Sequence, residues 1–180
     1  MKIRPMPLPL VWLLLGAWPA FAATTQEQSV FNADPSERLA RPMPGPDAVL
    51  QVLSKDETVA ACVKENPISH SGSLASWFVA SQIHLNGSDE TDLVVLPITQ
   101  GDRLMCFHSV EGIGWFWVFR PIGGRYELAL KTAGLGLSIL DSRHSGYRDI
   151  QSGGQVGKRS TRSMFRFDGK AYREFLKKTE

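Results

Sequence analysis

The spacing of hydrophobic positions changes twice along this 180-residue chain. Leu8 to Trp18 is a short, nearly unbroken apolar run. Between residues 23 and 46 large apolar groups are sparse and Pro35, Pro42, Pro44 and Pro46 interrupt the chain, so this stretch reads as a flexible arm or linker. From Asp47 onward apolar residues recur three and four apart: Val49, Leu50 and Leu53, then Val59, Ala60, Cys62 and Val63. That spacing predicts two short, one-sided helices. Ser54-Lys55-Asp56-Glu57 matches a capping box ahead of the second, and Asn66-Pro67 stops it.

Past Ala75 the period drops to two. Strands are predicted over Trp77–Leu85, Leu93–Ile98, Leu104–His108, Gly114–Ile122, Tyr126–Leu130, Leu135–Leu140, Tyr147–Ile150, Arg159–Phe167 and Ala171–Phe175. In Gly114–Ile122, Trp115, Trp117 and Phe119 fall on one face and Phe116 and Val118 on the other. Turns are expected at Gly123-Gly124, Gly134, Ser145-Gly146, Gly153-Gly154 and Asp168-Gly169. Connections this short force antiparallel pairing, because parallel neighbours need long crossovers. The pattern predicts an α+β fold: short N-terminal helices followed by a curled antiparallel β-meander of seven to nine strands, in one domain over residues 47–180.

The first apolar run changes the compartment. Lys2 and Arg4 precede it and Ala20-Phe21-Ala22 follows, which is the three-part pattern of a signal peptide over residues 1–22, cut after Ala22. The run is shorter than the roughly 20 apolar residues a membrane span needs. The expected location is therefore periplasmic or secreted, with no stable membrane span after cleavage. Removing the leader also removes the charge excess. The chain has 20 Lys and Arg against 18 Asp and Glu, and Lys2 and Arg4 are the leader's only charges, so the remainder is neutral. A neutral domain has no global field to draw it onto nucleic acid. The charge is uneven, however: residues 148–180 carry nine bases and four acids, a basic flank on an acidic body. That flank reads as a solvated strand and tail lying against the body, or as a docking face for an acidic partner. Cys62 and Cys106 are the only cysteines, and in an oxidising compartment an even count predicts one disulfide.

One loop, Asn86-Gly87-Ser88-Asp89-Glu90-Thr91-Asp92 leading into Leu93-Val94-Val95, resembles the calcium loop of FG-GAP/VCBS-type, integrin-like blades. The resemblance implies Asn86 and Asp92 as calcium ligands. His84 and Ser88 stand where that family carries acids, and Asp89 where it carries Gly, so the loop is read first as a structural turn. Trp77-Phe78-Val79, Asp92-Leu93-Val94-Val95, Phe116 to Arg120, Gly146 to Ile150 and Phe167 to Tyr172 also resemble, in order, a group of uncharacterised exported bacterial proteins; this implies a fold-level grouping and no known activity.

The chemistry-bearing residues are few. His70, His84, His108 and His144 lack the helical partners or carboxylate spacing of a zinc site. The chain has no nucleophile elbow, no H-E-x-x-H helix, no P-loop and no dinucleotide fingerprint. Arg143, His144 and Arg148, in the most polar loop, are candidates to bind a carboxylate or phosphate, or else pair with Asp141 and Asp149. The reading that follows is a small exported binding module, inhibitor- or immunity-like in kind, with no catalytic residues or cofactor and a protein or glycan partner in the cell envelope. The alternative is a cell-wall or glycan hydrolase using paired carboxylates among Asp89, Asp92 and Glu111, with Trp77, Trp115 and Trp117 as a sugar platform.

Overall fold

The computed structural model describes residues 27–33, 39, 41–65, 73–98, 106–109 and 111–180; the leader, His70 and Leu104 lie outside them. The fold is α+β, with two short helices and ten strands in two five-stranded antiparallel sheets among the described residues. The first sheet has the order β2 (Pro42–Pro44), β3 (Phe78–Ile83), β4 (Asp92–Pro97), β5 (Gly114–Ile122) and β6 (Arg125–Gly134). The second has the order β1 (Val30–Asn32), β7 (Gly136–His144), β8 (Tyr147–Val156), β9 (Arg159–Phe167) and β10 (Tyr172–Thr179). The meander thus runs in two halves, and the chain changes sheets at Gly134-Leu135-Gly136.

Two cores account for this layering. Phe31, Val94, Phe116, Leu137, Ile150 and Phe165 fill the space between the sheets. On the other side of the first sheet, Trp117, Phe119, Leu93 and Phe78 pack with Val49 and Leu53 of helix α1 (Asp47–Leu53) and Val59 and Cys62 of helix α2 (Glu57–Glu65). The predicted alternation in β5 is what makes this possible. Phe116 and Val118 face the second sheet, while Trp115, Trp117 and Phe119 face the helices. A strand buried on both faces must be apolar at every position, and β5 is, from Trp115 to Phe119.

Local signals explain most element ends, and several depart from the sequence expectation. The cap of α2 is Asp56, not Ser54: its Oδ1 accepts the N–H groups of Thr58 and Val59 at 3.0 and 3.2 Å, while the Ser54 hydroxyl donates back to Gln51 O. The Asp56 carboxylate also meets Lys131 Nζ at 3.0 Å, with both side chains largely shielded from solvent. Asp56→Ala is therefore expected to lower stability by about 2 kcal/mol, cap and ion-pair partner together, and Ser54→Ala by less than about 0.5 kcal/mol. Chemical denaturation of the two variants checks the difference.

The flexible arm expected at residues 23–46 instead supplies a short edge strand to each sheet. Phe31 in β1 is fully buried between the sheets, and the β1 and β2 backbones satisfy the outer edges of β7 and β3. Trp77 ends a 3₁₀ turn, Leu74–Trp77, rather than starting a strand. The strand expected at Leu104–His108 is not formed by its described residues: Cys106 and Phe107 lie in a 3₁₀ turn and His108 makes one isolated bridge to Gly114. Gly153-Gly154, expected as a turn, lies inside β8. A Cβ on Gly153 would sit 2.0 Å from Thr161 O, and one on Gly154 would sit 2.5 Å from Leu135 Cβ, so these glycines mark close approach of chains. The predicted disulfide is present: Cys62 and Cys106 are bonded, with Cα atoms 5.5 Å apart. Among the described residues no helix is long and apolar enough to cross a membrane.

Candidate functional site

Two polar regions stand apart from the cores. The first closes one end of the sandwich, where the β3–β4 turn meets the β7–β8 hairpin. Arg148 N–H donates to Leu85 O at 2.7 Å and joins the two. Asp92, only 2 % exposed at the start of β4, accepts the Leu85 N–H at 2.9 Å. Burial pushes the Asp92 carboxyl up to about 6, against the pull of that N–H and of the Arg120 and His84 charges. Arg120 leaves β5 with its guanidinium carbon 4.4 Å from the Tyr147 ring centroid and 4.3 Å from that of Phe167. Its Nη2 donates to the Tyr147 hydroxyl at 2.6 Å, and Asn86 Nδ2 donates to the same oxygen at 2.9 Å. Tyr172 donates its hydroxyl to Arg148 O at 2.7 Å; burial, then the Asp92 charge, push its phenol far above the ordinary tyrosine range.

The calcium-loop residues belong to this end, and their arrangement does not fit that cation. Asn86 Oδ1 accepts from Ser88 N and Ser88 Oγ at 3.0 and 2.6 Å, and Asp92 points at a backbone N–H with Arg120 as a charged neighbour. Calcium needs six to eight converging oxygens. Among the described residues no three His, Cys, Asp or Glu side chains gather as a metal site.

The anion-binding candidates lie close in the fold but turn to different partners. Arg143 and Arg148 pair across the β7–β8 hairpin. Arg143 Nη1 donates to Leu85 O and Gly146 O, both at 3.2 Å. Arg148 donates to Leu140 O, Ile139 O and Asp141 Oδ1, and Glu27 lies 3.9 Å from its Nη1. His144 Nδ1 is 2.7 Å from an oxygen of Asp149, a carboxylate with 1 % exposure that also accepts from Ser142 Oγ at 2.8 Å. The three side chains therefore brace the hairpin and do not converge on a shared open space.

Nor do the groups named for hydrolysis come together as a catalytic pair with a platform. Asp92 is buried at the sandwich end, Asp89 lies exposed in the β3–β4 turn, and Glu111 lines a cleft beside Gly134 and Arg159. Trp77 and Trp117 are 1 % and 0 % exposed and belong to the helix-side core, where Trp117 meets Phe78 and Phe107 edge-on. Trp115 is half-covered, with Lys131 Nζ 4.9 Å from its ring centroid.

The second polar region is the outer face of the second sheet. Both helices lie on the first sheet, so this face carries no covering layer among the described residues. Register places its side chains in rows across all five strands. One row is Val30, Ser138, Gln151, Met164 and Leu176; the next is Asn32, Gly136, Gly153, Arg162 and Lys178. Their chain neighbours Phe31, Leu137, Ile150 and Phe165 point the other way, into the core. Arg166 and Arg173 pair in a further row, and Arg166 lies 3.9 Å from Asp149 and 3.8 Å from the Phe175 ring centroid. Arg173 is held by Asp168, whose carboxyl the Ala171 N–H, the Arg173 side chain and the Lys170 N–H keep well below the usual range. Arg162 and Lys178 make no ion pair with any described residue. Where this second row carries Gly136 and Gly153 side by side, the face sinks into a groove of about 460 Å³.

No protein-family model matches this chain, and neither a curated protein nor a solved structure matches it.

Proposed function

We propose that the chain acts outside the cytoplasm as a non-catalytic binding module, and that its working surface is the outer face of the second sheet, which takes an acidic partner. One observation carries the reading: among the described residues, the sheet that holds most of the basic C-terminal flank is the one left without a covering layer, and Arg162 and Lys178 stand on it without counter-charges. In a neutral protein such a cluster is a local field that steers a partner of opposite sign and is screened within about 8–10 Å at ordinary salt. The leader-like N-terminus and the disulfide support the compartment.

The expected result with polyglutamate as probe is binding at low ionic strength that weakens as salt rises. Arg162→Glu/Lys178→Glu should weaken it by at least about tenfold, roughly 1.4 kcal/mol. Arg125→Glu, at an exposed position of the β5–β6 hairpin on the other sheet, should leave it nearly unchanged. Equal binding by the double variant, or no binding by the wild-type protein, would overturn the proposal.

A further inference from the structure

The groove in that outer face says more about the partner than its sign, and the inference rests on the reading just given. Its floor is backbone: Gly136 and Gly153 lie side by side in register, a side chain being excluded at Gly153 and crowded at Gly136. A Cβ on Gly136 would come within 3.2 Å of Asn32 Oδ1 and Phe31 O, and Gly153, at φ +142°, would drive one into Thr161 O. Around this floor stand amides and hydroxyls, Ser138, Gln151, Gln155 and Ser160, with Arg162 at the rim. Gln155 and Ser160 pair next to the Gly157-Lys158 turn of the β8–β9 hairpin, and Gln155 is exposed, so the groove runs out to solvent at that end.

This lining discriminates among acidic partners. A protein partner is held mainly by aromatic or aliphatic anchors seated in desolvated pockets, and here Val30 and Leu135 are the only large apolar contributors. An extended peptide adds to a sheet through the free backbone of an edge strand, whereas this groove crosses the strands' face, where the ladder bonds are already made. A membrane surface calls for a protruding apolar face, and the groove is recessed and polar. A chain of sugars matches it: many hydroxyls for side chains that both donate and accept, and no backbone to pair. The guanidinium of Arg162, without an ion pair among the described residues, adds a fork for a carboxylate.

We infer that the Gly136/Gly153 groove is a binding site for an acidic, uronate-containing glycan, with ring hydroxyls on Gln151, Gln155 and Ser138 and a sugar carboxylate on Arg162. The test is calorimetric titration of the full exported protein with trigalacturonate, with triglutamate as the charge-matched peptide and galactotriose as the neutral sugar. Trigalacturonate should bind at least tenfold tighter than either. Ser138→Tyr, which fills the groove without altering charge, should lower its affinity at least tenfold. Gln155→Trp, at the exposed hairpin end where folding is least at risk, should do the same, and both variants should keep their polyglutamate binding. Triglutamate binding as tightly as trigalacturonate, filled-groove variants that bind it normally, or no binding of trigalacturonate by the wild-type protein would overturn the glycan site. Polyglutamate binding retained in any of these outcomes would leave the basic face standing as a docking surface for an acidic protein.

Discussion

Reducing the Cys62–Cys106 bond is expected to lower the protein's stability by about 4 kcal/mol. The bonded cysteines are 44 residues apart, and closing a loop of that length removes about that much chain entropy from the unfolded state. The native side of the balance points the same way. Cys62 is 1 % exposed on the buried face of α2, and Cys106 precedes Phe107, which sits fully buried against Trp77, Phe78 and Trp117. The bond thus pins a segment with little regular structure of its own onto the helix-side core. Equilibrium denaturation with and without reductant measures the loss, and the Cys62→Ala/Cys106→Ala double variant should reproduce it. For a domain of this size the fall in Tm would be roughly 8–16 °C. A loss below about 1 kcal/mol in both experiments would show that the core alone holds α2 in place.

The same bond shows where the sequence was legible. Pairing follows from an even cysteine count and the expected exported context, and the predicted bounds of β5 and β9 are the observed ones, because long apolar alternation between glycines or polar turns leaves one solution. Position-specific signals were read less well. Ser54 and Asp56 are both good capping residues two positions apart, and only the helix's actual first turn selects Asp56. Gly153-Gly154 carries a turn signature, yet a glycine also permits a neighbouring chain to approach, and nothing local separates the two. Residues 30–32 and 42–44 are too short and too proline-flanked to be read as strands. Their pairing is decided by edges about 350 and 120 Å of contour away, at the roughly 3.3 Å each extended residue spans, far from any local pattern they carry.

The candidate site divides in the same manner. Arg143, His144 and Arg148 were visible as a polar cluster, but their partners, Leu85 O, Leu140 O and buried Asp149, come from register and from a neighbouring turn. The basic flank was visible as charge. Whether it lay against the acidic body or faced outward depended on which sheet the helices covered, and α1 and α2 are equally one-sided in either case. The groove was hidden more deeply: its floor depends on Gly136 and Gly153 falling into register across β7 and β8. A signal was present in the alternation of Gln151, Gly153 and Gln155, a polar face on a strand whose other face carries Ile150 and Ser152, though one strand does not say what lies beside it.

Asp92→Asn should stabilise the protein by up to about 3 kcal/mol above pH 6 and leave it unchanged near pH 4. The folded-state carboxyl is raised to about 6 from an ordinary value of 3.8, because burial disfavours its charged form more than the Leu85 N–H and Arg120 favour it. Between those two values the folded protein binds a proton that the unfolded chain has released. Its stability must then fall as pH rises from about 4 to 6, by about 1.36 kcal/mol per unit of difference, and stay low above that. Asparagine keeps an acceptor for the Leu85 N–H and has no charge to desolvate, so its profile should lack this decline. Urea denaturation of both proteins from pH 4 to pH 8 isolates the effect as a difference, with every other titrating group common to the two. Curves that run parallel across the range would show that Asp92 is not the source. A variant less stable than wild type at pH 8 would show that the Arg120–Asp92 attraction outweighs burial. The charge attraction between Arg120 and Asp92 would then help hold the sandwich end, with the Tyr147 and Phe167 rings keeping the guanidinium in place.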